Sequence, residues 1–316
     1  MADIRVGTSG WSYPTGNGTW NGIFYPTAPG RRMKRAGSFD ELRFYAEHFN
    51  TVEINSTFYG VPAVATARGW AERTPAGFDF SLKLFQKFTH PGMFLKATGK
   101  DPWNLGQQDI DEFRAAIDPL ASAGKLGALL AQFPASFKNE PESASYLAWL
   151  LERFCDYPVA VELRHRSWSD QPMETSQILA AHGAAWAQID EPKFRFSIRQ
   201  NLLPNVRTFY YLRLHGRNAA QWWSHQKSED RYNYLYSAAE LQPFAEAAKE
   251  AAREVKKAYL YANNHFSAKS VANAAILKHD LGQPLPGAYP QEFVDRYPDL
   301  KGLVKVLPDP LVPTPS

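Results

Sequence analysis

The chain has 316 residues, and its mildly basic balance of 35 Lys and Arg against 32 Asp and Glu gives a formal net charge of +3. Its single cysteine, Cys155, excludes an intrachain disulfide and a metal site built from cysteines. No stretch approaches the ~20 apolar residues that cross a bilayer. The first residues run almost directly into a predicted strand, so we expect no signal peptide. We therefore predict a cytoplasmic protein without a membrane partner.

Several segments alternate apolar and polar residues as strands do. In residues 51–57, Val52 and Ile54 share one face and the polar residues between them share the other, because successive side chains of a strand point to opposite sides. Such a polar face needs an enclosed space if helices cover the sheet. The eight predicted strands are residues 4–10, 51–57, 79–85, 127–134, 159–164, 184–189, 209–216 and 257–263.

Segments with helical periodicity lie between most of these strands, which favours a parallel sheet covered by helices. The segment 192–207, after the sixth strand, has no clean helical period and stays unassigned. The predicted helices are residues 38–49, 64–73, 110–123, 142–154, 173–182, 238–255 and 269–281.

This alternation predicts an α/β fold, a (β/α)8 TIM-type barrel over residues 1–283, followed by a proline-rich extension over residues 284–316 that packs on the barrel. The loops after strands one, three and seven are long, roughly 20 residues or more against the ~2–6 that are usual in α/β units. All three lie at the carboxyl end of the strands, where barrel enzymes hold their active sites. An open, doubly wound sheet is the alternative fold.

Side-chain alternation directs many polar residues into the mouth of this barrel, although such barrels are usually filled by Val, Ile and Leu. Burying ions without partners is costly, so a ligand site is favoured over a salt-bridge network that only fills the interior. The candidate catalytic residues are Glu53, Glu162, Asp190 and His215. The candidate substrate-binding residues are Asn55, Tyr59, Lys83, Gln132, Arg164, Trp168, Arg213, Asn263 and Asn264.

Several longer motifs follow one another along the chain. They include GTSGW at 7–11, EINSTFY at 53–59, TH at 89–90, VELRH at 161–165, RLHGR at 213–217 and NNH at 263–265. With these motifs the chain resembles the YecE-like family, a domain-of-unknown-function family of (β/α)-barrel proteins. The resemblance covers nearly the whole chain and implies the barrel fold but no reaction. The chain departs from the family pattern at Ala262, where an aromatic residue is usual, and around Ser267 and Ala268, where a glycine is usual.

Three histidines at strand ends, with carboxylates on the same rim, favour a metal-assisted hydrolase of the phosphoesterase or nuclease type. The predicted ligands are His165, His215 and His265, and the metal would be Zn, Mn or Fe. Arginines would bind an anionic, ring-bearing substrate, either a small molecule or a nucleic acid, and the basic run at 31–35 offers an edge for a nucleic-acid backbone. No close-spaced metal motif such as HxH or HExxH accompanies these residues.

Two other hypotheses remain open. A metal-free glycoside hydrolase would use Glu53 and Glu162 as its two carboxylates. A non-catalytic protein would bind nucleic acid or a small anion through Arg164 and Arg213. Lys83 is a candidate for Schiff-base chemistry if it is desolvated, although a salt bridge is favoured for it. The sequence specifies neither the substrate nor the oligomeric state.

Overall fold

The computed structural model describes residues 2–26, 39–102, 104–222 and 228–307 and contains a sheet of nine strands. The strands are Asp3–Ser9 (β1), Thr51–Ile54 (β2), Asp79–Lys83 (β3), Leu126–Gln132 (β4), Val159–Glu162 (β5), Ala185–Trp186 (β6), Gln188–Asp190 (β7), Phe209–Leu214 (β8) and Lys257–Ala262 (β9). They are hydrogen-bonded in the order β6-β5-β4-β3-β2-β1-β9-β8-β7, and each pairing is parallel. The predicted (β/α) barrel is therefore confirmed.

The sixth strand of the barrel is interrupted at Ala187, which divides it into β6 and β7. β6 pairs with β5 and β7 pairs with β8, so the two halves complete the ring from opposite sides. The segment after β7 is irregular, and its side chains take the place of ladder partners. Gln200 binds both Ile189 N and Ala187 O at 2.7 Å, and Asn205 Oδ1 accepts from Trp186 N at 2.7 Å. This role explains why the segment carries amides instead of helical periodicity.

Helices cover the outside of the barrel with their apolar faces. In the helix Gln107–Ser122, Ile110, Phe113 and Ile117 recur at helical spacing and are buried. Across the described ranges, no helix combines the length and apolar character that a bilayer crossing needs. The helices are Glu41–Ala46 (α1), Val64–Glu72 (α2), Gln86–Thr89 (α3), Pro91–Thr98 (α4), Gln107–Ser122 (α5), Pro141–Arg153 (α6), Arg166–Ser169 (α7), Pro172–Ala181 (α8), Ala238–Glu254 (α9), Lys269–Asp280 (α10) and Gln291–Arg296 (α11).

The lower part of the lumen holds its own apolar cluster, separate from the core between strands and helices. Small residues of β4 to β6 face tyrosines of β8 and β9. Tyr261 Oη is hydrogen-bonded to Thr51 at 2.7 Å and to Ser81 at 2.9 Å, so its buried hydroxyl is satisfied. This aromatic floor closes the barrel below a layer of buried polar side chains. That polar layer consists of Glu53, Glu162, Arg213 and His215, and it lies one strand repeat nearer the carboxyl end. The cluster consists of Ala128, Leu130, Ala160, Ala185, Ala187, Phe209, Tyr211, Tyr259 and Tyr261.

The turn after β9 is strained. Ser267 and Ala268 adopt φ angles of 52° and 63°, in the left-handed region that favours glycine. Their backbone is held by two long-range hydrogen bonds, from Trp20 Nε1 to His265 O (2.7 Å) and from Tyr297 Oη to Ser267 O. Two non-glycine residues in this region make the backbone strained directly after His265, which lies at the rim.

Part of the C-terminal extension packs against the first long loop and α1. The short strands Ala288–Tyr289 (β10) and Lys305–Val306 (β11) pair in parallel. The ring of Phe293 lies 5.6 Å from that of Phe24, and His48 Nε2 is hydrogen-bonded to Ala288 O at 3.1 Å. The last residues, 308–316, lie outside the described ranges.

Gly7 in β1 and Gly69 in α2 give a matched test of this packing. A Cβ at Gly7 would lie 2.2 Å from the carbonyl oxygen of Thr51, whereas a Cβ at Gly69 meets nothing within 4 Å. We expect Gly7→Ala to lower the free energy of unfolding by more than about 2 kcal/mol. We expect Gly69→Ala to raise it by about 0.5–1 kcal/mol, because alanine favours the helix. Urea unfolding measures both, and a Gly7→Ala protein as stable as the wild type would contradict the register of β1 against β2.

Candidate active site

Arg213 on β8 lies at the centre of the polar layer and binds two carboxylates at once. Its Nε and Nη2 donate to the two oxygens of Glu53 at 2.8 and 2.7 Å, which makes a bidentate ion pair. Its Nη1 donates to Glu162 Oε2 and to Gln132 Oε1, the latter at 3.1 Å. The three charged side chains are at most 1% exposed, so their mutual pairing is what makes their burial tolerable.

Glu53 has further donors on both sides. Ser9 Oγ donates to Oε1 and Tyr211 Oη donates to Oε2, each at 2.7 Å. The β1–β2 register places Ser9 directly opposite Glu53. With four hydrogen bonds received, the acceptor capacity of the ionised carboxylate is filled. Glu53 is therefore a fixed anion within the polar layer.

Glu162 is held in the ionised state by two arginines. Arg164 Nε donates to Glu162 Oε1 at 2.7 Å, and Arg213 occupies the other oxygen. Burial raises the pKa of Glu162, but the guanidiniums of Arg213 and Arg164 outweigh that effect and hold its pKa well below the ordinary value. Glu162 cannot supply a proton at neutral pH.

His215 completes the polar layer as a neutral imidazole. Burial lowers the pKa of His215 to about 3, although the charge of Glu162 opposes this shift. Nδ1 accepts from Asn263 Nδ2 at 2.8 Å, and Nε2 lies 3.4 Å from Glu162 Oε2. Nε2 also lies 3.3 Å from Arg164 Nη2 and 3.3 Å from Arg213 Nη1, so this nitrogen faces both charges of the polar layer.

A cavity opens on the carboxyl side of the polar layer, in two adjoining lobes of about 270 and 440 Å³. These volumes are of the order that small-molecule sites have. The two lobes share Tyr59, Lys83, Met93, Gln132, Arg231 and Tyr232. The smaller lobe adds Phe58, His90, Pro134, Ala135, Arg164, Glu191, Phe194, Phe196, Ser197 and Trp222, and the larger adds Tyr13, Asn55, Arg213, Asn263 and His265.

Three titratable groups of the smaller lobe have shifted pKa values. Burial lowers the pKa of Lys83 to about 7, and the charge of Arg213 acts in the same direction. Burial lowers the pKa of His90 to about 3. Burial also raises the pKa of Glu191, although Arg164, whose Nη1 lies 3.5 Å from the carboxylate, opposes the shift. Shifted groups that share one cleft are typical of functional sites.

Two of these groups, Glu191 and His90, are not among the predicted site residues. His90 lies between α3 and α4 in the long loop after β3, beyond the reach of strand alternation. Its signal was the Thr89-His90 pair, which belongs to the family resemblance. In the long loops, family motifs are thus a better guide to the cavity than strand parity.

The predicted position of Asp190 in the mouth is wrong. Ala185 and Ala187 face the lumen, so the even-numbered residues of this strand point away from it. Asp190 Oδ2 accepts from Arg217 Nε at 2.8 Å on the outer side, and the next residue, Glu191, reaches the cavity instead. Alternation predicted the wrong face because the irregular segment 192–207, which covers this strand, is polar. The outer face of the strand therefore carries polar residues too.

Trp168 and Asn264, predicted as substrate-binding residues, lie outside the cavity lining. Their side chains form hydrogen bonds within the protein instead. Trp168 is fully buried, and its Nε1 donates to Phe137 O at 2.9 Å. Asn264 Nδ2 donates to Tyr234 O and to Asn273 Oδ1, each at 2.7 Å. Both side chains anchor rim loops, which corrects the predicted role.

The three predicted histidine ligands have different surroundings. His165 is the N-cap of α7, where its Nδ1 accepts from Ser167 N at 3.1 Å. His215 belongs to the polar layer, and His265 stacks on Tyr13 with ring centroids 4.3 Å apart. Within the described ranges, no group of three or more His, Cys, Asp or Glu is arranged to hold a metal ion. The basic run at 31–35 lies outside those ranges.

Comparison with known proteins confirms the family resemblance. A family model described as "Protein of unknown function DUF72" matches residues 5–293. UPF0759 protein YunF of Bacillus subtilis (strain 168) is 26% identical over 297 residues, 92% of this chain and 99% of that protein. UPF0759 protein YecE of Escherichia coli (strain K12) is 29% identical over 163 residues, 51% of this chain and 48% of that protein. Neither name states a reaction or a ligand.

Solved structures share the fold. A DUF72 family protein (TM1631) of Thermotoga maritima MSB8 has a TM-score of 0.73 and 32% identity, with 89% of this chain and 100% of that chain covered. A DUF72 family protein (EF0366) of Enterococcus faecalis V583 has a TM-score of 0.75 and 24% identity, with 89% and 96% covered, and bears on the fold alone.

Removal of the Arg213 side chain tests the polar layer. We expect Arg213→Met to lower the free energy of unfolding by about 3–5 kcal/mol, because Glu53 and Glu162 stay buried without a counter-charge. Arg166→Met is the matched control, since Arg166 pairs with Asp170 at 2.9 Å where the two side chains are 36% and 43% exposed, and we expect it to change the free energy of unfolding little. Equal losses in the two variants, measured by urea unfolding, would contradict the central position given to Arg213.

Acid pH should destabilise the fold through its buried imidazoles. The folded pKa values of His90 and His215 are about 3 and that of His265 is about 4, all below the ordinary value of 6.5. The unfolded chain therefore binds more protons, and the free energy of unfolding falls as the pH drops from about 6.5 toward 4. We expect His215→Asn to reduce this slope by about one proton, or ~1.4 kcal/mol per pH unit.

The control for this pH dependence is His182→Asn at the end of α8, whose slope is compared with those of the wild type and of His215→Asn. Urea midpoints at several pH values give the slope for each protein. A His215→Asn protein with the wild-type slope would show that His215 already binds its proton in the folded state.

Proposed function

The chain belongs to the DUF72 family, and from this premise we propose that the barrel mouth is the active site of an enzyme for a small, anionic, ring-bearing molecule. The observation that carries the proposal is the cavity that Lys83 and Glu191 share, next to a polar layer whose own charges are already paired. Active sites of (β/α)8 enzymes lie at this end of the barrel.

Aromatic side chains around the cavity support a ring-bearing ligand. Tyr59 and Tyr232 line both lobes, Trp222 lines the smaller lobe and Tyr13 lines the larger one. Tyr59 is 71% exposed, so its ring is accessible from the mouth. Flat rings of this kind stack on nucleobases and on other planar groups.

The charge balance of the mouth supports an anionic ligand. Arg213 and Arg164 together neutralise Glu53 and Glu162, which leaves no net charge in the polar layer. Lys83 then adds a positive charge whenever it is protonated. Arg231 lines both lobes together with Lys83, so a phosphate or carboxylate bound in the cavity would lie near cationic side chains.

The proton chemistry of the mouth supports an enzyme in preference to a simple binding protein. Glu191 has a raised pKa, so its carboxyl group holds a proton at a higher pH than usual, and Lys83 has a lowered one. The pKa values of this carboxyl group and this amine are thus shifted toward each other, as is typical of the acid and base groups of active sites.

The alternatives from the sequence have weaker support. A glycoside hydrolase needs one carboxyl group with a raised pKa, but Glu162 has a lowered pKa, and both Glu53 and Glu162 are bound by Arg213. A metal-assisted hydrolase remains a prediction without a gathered ligand set in the described ranges. The proposed acid–base groups are therefore those of the cavity itself.

Paired ligands test the proposal. The probes for this screen are pyridoxine 5′-phosphate, nucleoside monophosphates and glucose 6-phosphate. We expect at least one of them to raise the thermal unfolding midpoint of the protein. Its dephosphorylated partner should leave the midpoint unchanged. Lys83→Met should weaken binding of each hit by about tenfold, since one ion pair with the anion is lost.

Lys87→Met is the matched control, because Lys87 is four residues away and pairs with Asp109 at 2.6 Å. This variant should bind the hits as the wild type does. Turnover of the hits, followed by NMR, should fall in Glu191→Gln while binding persists. A cavity that binds no anionic ring compound, or that binds them equally in Lys83→Met, would overturn the proposal.

A further inference from the structure

Lys83 lies at the carboxyl end of β3 and lines both lobes of the cavity. Its backbone is fixed, because its carbonyl accepts from Thr57 Oγ1 at 2.6 Å. Its Nζ lies 3.9 Å from the ring centroid of Phe58, which offers a π face but no counter-charge. In the described ranges, Nζ forms no hydrogen bond and no ion pair.

The reason that Lys83 lacks a counter-ion is the prior occupation of the carboxylates around it. Glu53 accepts two hydrogen bonds from Arg213 and one each from Ser9 and Tyr211. Glu162 is bound by Arg164 and Arg213. Among the charged groups, Arg213, Glu162, Arg164 and Glu53 act most strongly on the amine, and these two cations and two anions already neutralise one another.

We propose that Lys83 is a nucleophile that forms an imine with an aldehyde or ketone carbon of the substrate, an inference that rests on the active site proposed above. A lysine becomes nucleophilic when it is desolvated or placed next to other cations, and Lys83 meets both conditions. The substrate class is then an anionic, ring-bearing carbonyl compound.

The step balances without an oxidant or reductant. The lone pair of Nζ attacks the carbonyl carbon, a C–N bond forms as the π bond of the carbonyl group breaks, and one proton passes from the nitrogen to the oxygen to give a carbinolamine. The hydroxyl group then leaves as water with a second proton, and a C=N bond replaces the C=O bond. Glu191, which lines the same lobe as Lys83 and has a raised pKa, supplies a proton for the departing water and recovers one from the amine.

Reductive trapping tests this inference with pyridoxal 5′-phosphate, an anionic, ring-bearing aldehyde, as the probe. The full-length protein is incubated with the probe near neutral pH, reduced with borohydride and digested, and the occupancy of each lysine is measured by mass spectrometry. We expect Lys83 to be modified at least about tenfold faster than Lys87, because the Lys83 amine has a pKa of about 7, whereas Lys87 Nζ is held in an ion pair with Asp109 at 2.6 Å.

Two controls identify the site. Pyridoxine 5′-phosphate, the corresponding alcohol, cannot form an imine and should slow modification of Lys83 while leaving Lys87 unaffected. Lys83→Arg keeps the positive charge and should lose the imine absorbance that the wild type shows with the probe, whereas Lys87→Arg should keep it.

The outcomes separate the two proposals. Lys83 left unmodified while other lysines react, or modified without protection by pyridoxine 5′-phosphate, overturns the imine inference. If pyridoxine 5′-phosphate still raises the thermal midpoint of the wild type in that case, the proposed active site stands without the imine. If none of the anionic ring compounds screened above binds, the proposed function itself fails.

Discussion

The ion pairs of Arg213 with Glu53 and Glu162 are the interaction on which the rest of the site depends. Three ions with almost no solvent contact persist in the barrel only because each meets opposite charge and hydrogen-bond donors in a fixed geometry. Arginine suits this position because its planar fork binds one carboxylate through two nitrogens while a third nitrogen reaches the other carboxylate. A lysine could not make these contacts together.

This pairing also decides what remains available for chemistry. Glu53 and Glu162 already form ion pairs with arginines. The amine of Lys83 therefore faces the cavity with the ring of Phe58 as its near neighbour. Arg164 Nη1 lies 3.5 Å from Glu191 Oε2, and the pKa of Glu191 remains raised. The tyrosines of the floor lie on one side of the polar layer. The strained turn after His265 lies toward the rim. The cavity therefore combines rigid walls with two groups that can exchange protons.

Sequence patterns predicted the barrel and much of its mouth, because regular strands keep a period of two. The polar faces of β2, β5 and β8 do meet, and Glu53, Glu162 and Arg213 form one cluster as their alternation indicates. The pattern failed at Asp190, where an irregular covering segment makes both faces of the strand polar. It also favoured a salt bridge for Lys83, since alternation shows which groups share a face but not which partner each one binds. Loop residues such as His90 follow no strand period at all.

The central claim is that Arg213 satisfies both carboxylates and leaves Lys83 as an amine without a counter-ion. The pH titration of the Lys83 side chain, followed by NMR of its labelled carbon next to Nζ and assigned with Lys83→Arg, measures this directly. The account predicts a pKa of about 7 for Lys83 in the free protein. A pKa near the ordinary value of ~10.4 would show that a carboxylate of the mouth pairs with Lys83 after all, and would contradict the account.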